Sequence, residues 1–178
     1  GPALEAREAL DVLMGKGPTS VFEKSNELSG ILFELAGLAP PGQGATLAAD
    51  YITKGKAKAK MEEIIGVQGG NSSITAEGVA VGEYTSDILA PKDGYIVKLS
   101  NYAVKRIAKA AGTPRHKEAG IYLHKKVGDF CKKDEKLMTI YSNSEGRLTE
   151  ALNLAMNLNP YLLEGMIMKR ISSGGPRS

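Results

Sequence analysis

The sequence predicts a mixed α/β fold of the α+β class, in which helices come first and strands with further helices follow. Apolar residues in the first third recur at helical spacing, whereas those of the second half mostly alternate with polar residues, as in strands. Between the two parts, residues 66–82 are rich in glycine and serine, which is typical of a boundary. These observations predict a helical part with a linker over 1–82, a second domain over 83–172 and a disordered tail over 173–178.

The first predicted helix starts at Pro2, a residue suited to a first helical turn, and ends at Gly15 or Gly17. In the next helix, Ser20 and Glu23 have the spacing of a capping box, in which each side chain bonds the backbone N–H of the other residue. One stripe of this second helix carries its large apolar residues, which are Leu28, Ile31, Leu32 and Leu35.

Two shorter helices are predicted over residues 45–53 and 56–65, each followed by a glycine. The second contains Lys56, Lys58 and Lys60, which resemble a basic patch. Alternate spacing spreads these lysines around a helix, and no aromatic residue lies between them, so the pattern favours a solvated face over a nucleic-acid site.

Beyond the boundary, residues 86–100 contain two short apolar runs around a turn at 91–94, which predicts a hairpin. A helix follows, with Asn101 as its cap and Gly112 as its terminator. Its inward residues are expected to include Ile107, because the apolar residues recur at helical spacing.

Strands resume after that helix, with Ile121 and Leu123 in one strand and alternating residues over 137–141 in another. A helix over 144–158 then precedes an apolar closing strand, "EGMIMKRI", at 164–171. An exposed edge strand of this kind favours pairing with another subunit, so we expect a homo-oligomer.

The overall composition restricts the classes of function. The chain has 23 Lys and Arg against 20 Asp and Glu, a net charge of +3, which is far from the concentrated positive charge of a nucleic-acid binder. A single cysteine cannot form an internal disulfide, and no run of 18 apolar residues suggests a membrane span. We therefore predict a cytoplasmic protein without nucleic-acid or membrane partners.

Phosphate and cofactor motifs are weak in this sequence. The glycines of residues 66–82 do not open a helix after a strand and lack the GK[ST] ending, so neither a dinucleotide fingerprint nor a P-loop is indicated. No cofactor is predicted.

Two segments, "APKDGYIVKL" at 90–99 and "VGDFCKKDEKLMTI" at 127–140, resemble the halves of a barrel-sandwich hybrid, the flattened barrel of biotinyl and lipoyl carrier domains. A carrier presents its modified lysine on an exposed hairpin between these halves. Here the interval is predicted to hold a helix, and Lys98, Lys105 and Lys109 fall on a strand or helix. The carrier function therefore remains an alternative that the lysine pattern disfavours.

Four ordered motifs are more specific: "GPALEAREAL" at 1–10, "LAPKDGYI" at 89–96, "KEAGIYLHKKVGD" at 117–129 and "IYSNSEGRLTEAL" at 140–152. Together they resemble the C-terminal part of the thymidine and pyrimidine-nucleoside phosphorylase family, and most of all its archaeal AMP phosphorylase branch. The resemblance covers residues 1 to about 171. It implies that the first helices close a larger α/β domain, and that a barrel-sandwich-hybrid-like lobe with an inserted helix follows.

The resemblance also implies a reaction and where its residues lie. Family members are pentosyltransferases in which phosphate attacks the sugar C1 as the base leaves; for AMP the products are adenine and ribose 1,5-bisphosphate. Their phosphate loop and base-holding residues precede the "GPALEA" motif. We therefore expect no catalytic residue in these 178 residues, substrate and phosphate binding by an upstream half, and no activity of the isolated chain. Thymidine or pyrimidine-nucleoside phosphorylase remains the alternative parent enzyme.

Four side chains deserve individual interpretation. Glu5 matches a family position that helps bind a monovalent cation in some relatives, although a carboxylate at a helix N-terminus is also favourable without any ion. His124 has no carboxylate or second histidine beside it in sequence, which favours a structural role. His116 is expected in a loop, and Cys131 is expected to be an unreactive thiol despite the lysines that follow it.

Overall fold

The computed structural model describes residues 1–165, which contain six helices and six strands. They form two compact units, one over residues 3–80 and the other from Val81 onward together with Gly1 and Pro2. The predicted tail and all but the first two residues of the predicted closing strand lie outside the described residues. A mixed α/β fold is confirmed.

The unit over residues 3–80 is helical, as predicted. Its helices are α1 (Pro2–Leu13), α2 (Thr19–Leu35), α3 (Gly44–Thr53) and α4 (Lys56–Val67). The predicted capping box of α2 is wrong, because the helix begins one residue before Ser20 and Pro18 occupies the N-cap position. Ser20 is thus the second residue of the helix and cannot serve as its cap.

Helices α2 and α3 approach each other through glycines. A Cβ atom added to Gly30 would lie 2.3 Å from the backbone nitrogen of Ala45, and one added to Gly44 would lie 2.0 Å from the carbonyl oxygen of Gly30. Only glycine allows backbones so close together. The Glu34 carboxylate accepts a hydrogen bond of 2.9 Å from the Gly44 N–H, which satisfies a free donor at the start of α3.

The three lysines of α4 are engaged separately. Lys58 pairs with Glu62, Lys60 pairs with Glu63, and the Lys56 ammonium lies 4.8 Å from the centre of the Tyr51 ring. Each lysine thus has its own partner within this unit, and the solvated face stays a prediction.

The second unit contains two three-stranded antiparallel sheets with two helices. Its elements are β1 (Tyr84–Leu89), β2 (Gly94–Leu99), α5 (Asn101–Ala111), β3 (Gly120–Leu123), β4 (Phe130–Cys131), β5 (Lys136–Ser142), α6 (Glu145–Leu158) and β6 (Tyr161–Glu164). One sheet has the order β1-β5-β3 and the other the order β4-β2-β6. The barrel-sandwich-hybrid assignment of this unit stays a prediction.

The predicted hairpin between β1 and β2 is wrong. The two strands are consecutive, but β1 pairs with β5 and β2 pairs with β4 and β6. The turn at 91–94 instead carries the chain from one sheet to the other. Pairing with distant strands is favoured over a local hairpin because it gives β1 and β2 partners whose side chains complete two separate cores.

The inserted helix α5 is confirmed, with its cap shifted by one residue. Ser100, rather than Asn101, is the N-cap, and its Oγ accepts a hydrogen bond of 3.2 Å from the Ala103 N–H. Gly112 ends the helix with a φ of 128° that side-chain-bearing residues rarely adopt.

Strand β5 lies between the two cores of this unit. Its Met138 and Ile140 pack with α5 and α6, while Leu137 packs with Ile96 and Cys131 of the other sheet. All three β5 residues are at most 2% exposed. This strand therefore has no solvated face, in contrast to the polar-apolar alternation usual in antiparallel sheets.

The helix crossing provides a matched pair of glycine substitutions. Gly30→Ala is expected to destabilise the unit over residues 3–80 by about 1–3 kcal/mol, because the methyl group collides with backbone that cannot move aside. Gly66→Ala is expected to stabilise it by up to about 1 kcal/mol, since the new methyl meets only the Ser72 Cβ at 3.6 Å and alanine favours the helix. Urea unfolding followed by circular dichroism measures both, and a neutral Gly30→Ala would contradict the packing described.

Candidate functional site

A polar network joins the three strands of the first sheet. Asp87 of β1 lies opposite Thr139 of β5, and Thr139 lies opposite Tyr122 of β3. His124 follows directly after β3, two residues beyond Tyr122, and so projects toward the same face. Strand register therefore places an acid, a hydroxyl and an imidazole next to one another.

The hydrogen bonds fix the direction of each proton. The Thr139 hydroxyl donates to the Asp87 Oδ1 at 2.5 Å, and the His124 Nε2 lies 2.8 Å from the same hydroxyl oxygen. A hydroxyl has a single proton to donate, so the His124 Nε2 must carry the hydrogen and donate it to Thr139. On the other side of the carboxylate, the Lys136 Nζ lies 2.6 Å from the Asp87 Oδ2.

Positive charge stabilises the ionised carboxylate of this network. The hydrogen bond from Lys136, followed by that from Thr139, lowers the pKa of Asp87, and the electrostatic effects of Lys136 and His124 act in the same direction. Partial burial raises the pKa of Asp87, but this effect is smaller than that of either hydrogen bond.

Chemically, this arrangement orients an exposed imidazole. The His124 ring also lies edge-on to the Tyr122 ring, with 4.9 Å between their centres. Thr139 separates the carboxylate from the imidazole, so Asp87 does not contact His124 directly. The network therefore connects three strands and fixes the tautomer of His124, which agrees with the structural role expected for this histidine.

Sequence reasoning missed two members of this network. Asp87 precedes His124 by 37 positions and Thr139 follows it by 15, and only the order β1-β5-β3 brings them together. The sequence does show a polar residue within the otherwise apolar pattern of each strand. This signal does not indicate which strands are neighbours.

Glu5 and His116 lie at separate positions of the fold. Glu5 is in the first turn of α1 and is exposed, as expected for a carboxylate at the positive end of a helix. Its role as a cation ligand stays a prediction. His116 follows α5 in a turn, where its backbone N–H donates to the Gly112 carbonyl at 3.0 Å. Within residues 1–165, no three His, Cys, Asp or Glu side chains come close enough together to hold a metal ion.

Cys131 is a buried packing thiol, in agreement with the expectation. It is fully buried in the core of the second sheet, and its Sγ lies 3.4 Å from the Gly94 carbonyl oxygen. Burial raises the pKa of the Cys131 thiol, and the nearby Glu135 acts in the same direction. The opposing effect of Lys125 is weaker, so the lysines do not activate this cysteine.

The lysines considered for a carrier function lie where the sequence predicted. Lys98 is in β2, and Lys105 and Lys109 are in α5, which occupies the interval where a carrier has its hairpin. A separate open groove of about 660 Å³ in the unit over residues 3–80 is lined by Met14, Phe22 and other residues of α1 to α4, and none of the four singled-out side chains borders it. No helix of the described residues has the length and apolarity needed to cross a membrane.

Comparison with known proteins assigns part of the chain to a protein family. Residues 95–161, which run from β2 to the start of β6, match the family model of the pyrimidine nucleoside phosphorylase C-terminal domain. Residues 95–161 therefore form a domain of this family, and the resemblance read from the motifs is confirmed.

Individual relatives of the chain are AMP phosphorylases of archaeal species. The chain is 49% identical over 174 residues to the AMP phosphorylase of Methanocaldococcus jannaschii, and 46% identical over 172 residues to that of Methanosarcina barkeri. The AMP phosphorylase of Thermococcus kodakarensis is 46% identical over 174 residues. These matches cover 96–97% of the chain but only 34–35% of each relative, so the chain spans about one third of the length of the relatives it matches.

The polar network makes a testable contribution to stability. Thr139→Val keeps the shape of the side chain but leaves Asp87 and His124 without their shared partner, and we expect a loss of about 1–3 kcal/mol in the free energy of unfolding. The control is Thr85→Val, at an exposed position of β1, the strand that carries Asp87. It should change the free energy of unfolding by less than about 0.5 kcal/mol. Equal effects of the two substitutions in urea unfolding would contradict the role of the network.

The same network predicts a pH dependence. Because the pKa of Asp87 is lowered on folding, its stabilisation is present above the ordinary value of 3.8 and is lost as the pH falls through the folded-state value below it. Asp87→Asn should therefore flatten the decline in unfolding free energy between about pH 5 and pH 2, and Lys136→Met should flatten it in part. Acid titration of stability in the three proteins measures this, and parallel curves would refute the assignment.

Proposed function

We propose that this chain is the C-terminal, non-catalytic part of an AMP phosphorylase, which converts AMP and phosphate into adenine and ribose 1,5-bisphosphate. The observation that carries the proposal is the identity of 45–49% to several AMP phosphorylases across nearly the whole chain. An alignment that runs continuously through both units supports a shared architecture, rather than one exchangeable module on an unrelated enzyme.

The chemistry of phosphorolysis explains why a separate upstream part is needed. Displacement of the base by phosphate passes through a cation-like sugar, so the enzyme must hold phosphate beneath C1 with cations and amide donors and must stabilise the departing base. The network around His124 offers one exposed imidazole that its hydrogen bond to Thr139 already holds in place. One imidazole of this kind is not enough for phosphorolysis. The described residues are therefore proposed to have a structural role, with phosphate and base bound upstream of the "GPALEA" motif.

Assembly is a further part of the proposal. Strand β6 lies at one end of the order β4-β2-β6, and its Leu162 is 49% exposed. An edge strand with an exposed leucine favours pairing with the same strand of another copy, so the parent enzyme is proposed to be a homo-oligomer.

A chimera tests the proposal directly. The matched third of the Methanocaldococcus jannaschii enzyme is replaced by this chain, and adenine release from AMP and phosphate is measured. We expect the chimera to be active, the upstream two thirds alone to be inactive, and the isolated 178-residue chain to be inactive. Light scattering on the same chimera measures its oligomeric state.

Two outcomes would contradict the proposal. Adenine release that follows the purified isolated chain would show that it carries its own active site. A folded chimera without activity, beside an active parent enzyme, would show that this chain cannot take the place of the AMP phosphorylase region.

A further inference from the structure

The unit over residues 3–80 has an unusual distribution of apolar side chains. Its buried apolar residues are mainly small: four alanines, with Leu4 and Val12 as the larger members. Many of its other large apolar side chains are half-buried, and a further set is exposed. The most continuous exposed group lies on α2. These four residues, which we call the leucine face, are Leu28 (55% exposed), Ile31 (54%), Leu32 (65%) and Leu35 (80%).

The leucine face lies opposite the packed side of α2. The residues of α2 that are buried are Asn26 and Gly30, and the Gly30 side approaches α3 closely. With 3.6 residues per turn, the leucine face falls on the far side of the helix from these two residues. The packed side also carries Phe33, whose ring centre lies 5.4 Å from that of Tyr51 in α3. Helix α2 therefore has large apolar side chains on both sides, unlike a surface helix.

A helix that requires burial on both sides is an internal helix of a larger domain. The exposed surface continues past the end of α2 through Leu38, which is 66% exposed and lines an open groove of about 520 Å³ with Pro40 and Leu47. Contiguous apolar surface of this kind marks an interaction site, whereas single exposed apolar residues need no explanation.

We propose that the leucine face packs against the polypeptide that lies upstream of the matched region in AMP phosphorylases. The matched third contains the family's C-terminal domain, so most of the remaining two thirds of each relative lies on its N-terminal side. This inference rests on the proposed function. Beyond that function, the inference names the surface through which the non-catalytic part contacts the catalytic part.

Thiol labelling tests the contact. Leu32→Cys is made in the isolated chain and in the chimera with the upstream part of the Methanocaldococcus jannaschii enzyme, and maleimide labelling of position 32 is followed by peptide mass spectrometry. The native Cys131 is buried and does not interfere. Labelling in the chimera should be at least about tenfold slower, because the reaction requires access to the thiol. Met156→Cys, at a 70% exposed position of α6, is the control and should react at similar rates in both proteins.

A charge substitution gives an independent reading. Leu32→Glu combined with Leu35→Glu should leave the melting temperature of the isolated chain nearly unchanged, since both positions are exposed there, and should lower that of the chimera. Equal labelling of position 32 in both proteins would overturn the inference. Protection in the isolated chain that grows with its concentration would also overturn it, in favour of a second copy as the occupant.

The outcomes separate this inference from the proposed function. An active chimera with a freely labelled position 32 refutes the contact and leaves the function standing. A folded, inactive chimera with position 32 protected refutes the function and leaves the contact standing.

Discussion

The unit from Val81 onward depends on the burial of β5 on both faces. Met138 and Ile140 complete the core beneath α5 and α6, and Leu137 completes the core of the second sheet. A single strand thereby connects two small cores, neither of which has many large side chains of its own. Displacement of β5 by one residue would exchange its two faces and disrupt both cores at once, which is why the register of this strand is so strongly determined.

Polar side chains reinforce this strand where it meets other elements. The buried Ser142 hydroxyl donates to the Ala111 carbonyl at the end of α5, at 2.8 Å, and the Tyr161 hydroxyl donates to the Leu137 carbonyl at 2.9 Å. Burial raises the pKa of Tyr161, so this hydroxyl stays neutral and keeps its role as a donor. Together with the network of Thr139, these bonds satisfy polar groups that burial would otherwise leave unpaired.

The helical unit follows a different packing logic. Glycines allow α2 and α3 to lie very close together, while several large apolar residues of α2 remain on the outside. Such a unit buries little apolar area by itself and gains by contact with further polypeptide. This division, with one unit that closes its own cores and another that presents an apolar face, suits a region that supports an active site built elsewhere in an enzyme.

Local patterns were sufficient to predict the helices, most strand positions and the family resemblance. Helical spacing and glycine punctuation gave α1 to α6 within a few residues, because these signals are local. The motif around "AGIYLHKKVGD" identified the phosphorylase family, since its residue types and order are specific. The caps of α2 and α5 were misplaced because several neighbouring polar residues can serve and local geometry selects one.

Strand pairing and the covered face of α2 became clear from the three-dimensional packing alone. The run through Pro91 reads as a hairpin, yet β1 and β2 enter different sheets, because pairing depends on partners about 35 or more residues away. For the same reason no local pattern connected Asp87 with His124. The leucine stripe of α2 was visible in the sequence, but periodicity reveals only that a face is apolar, and the three-dimensional packing showed that α3 occupies the opposite side.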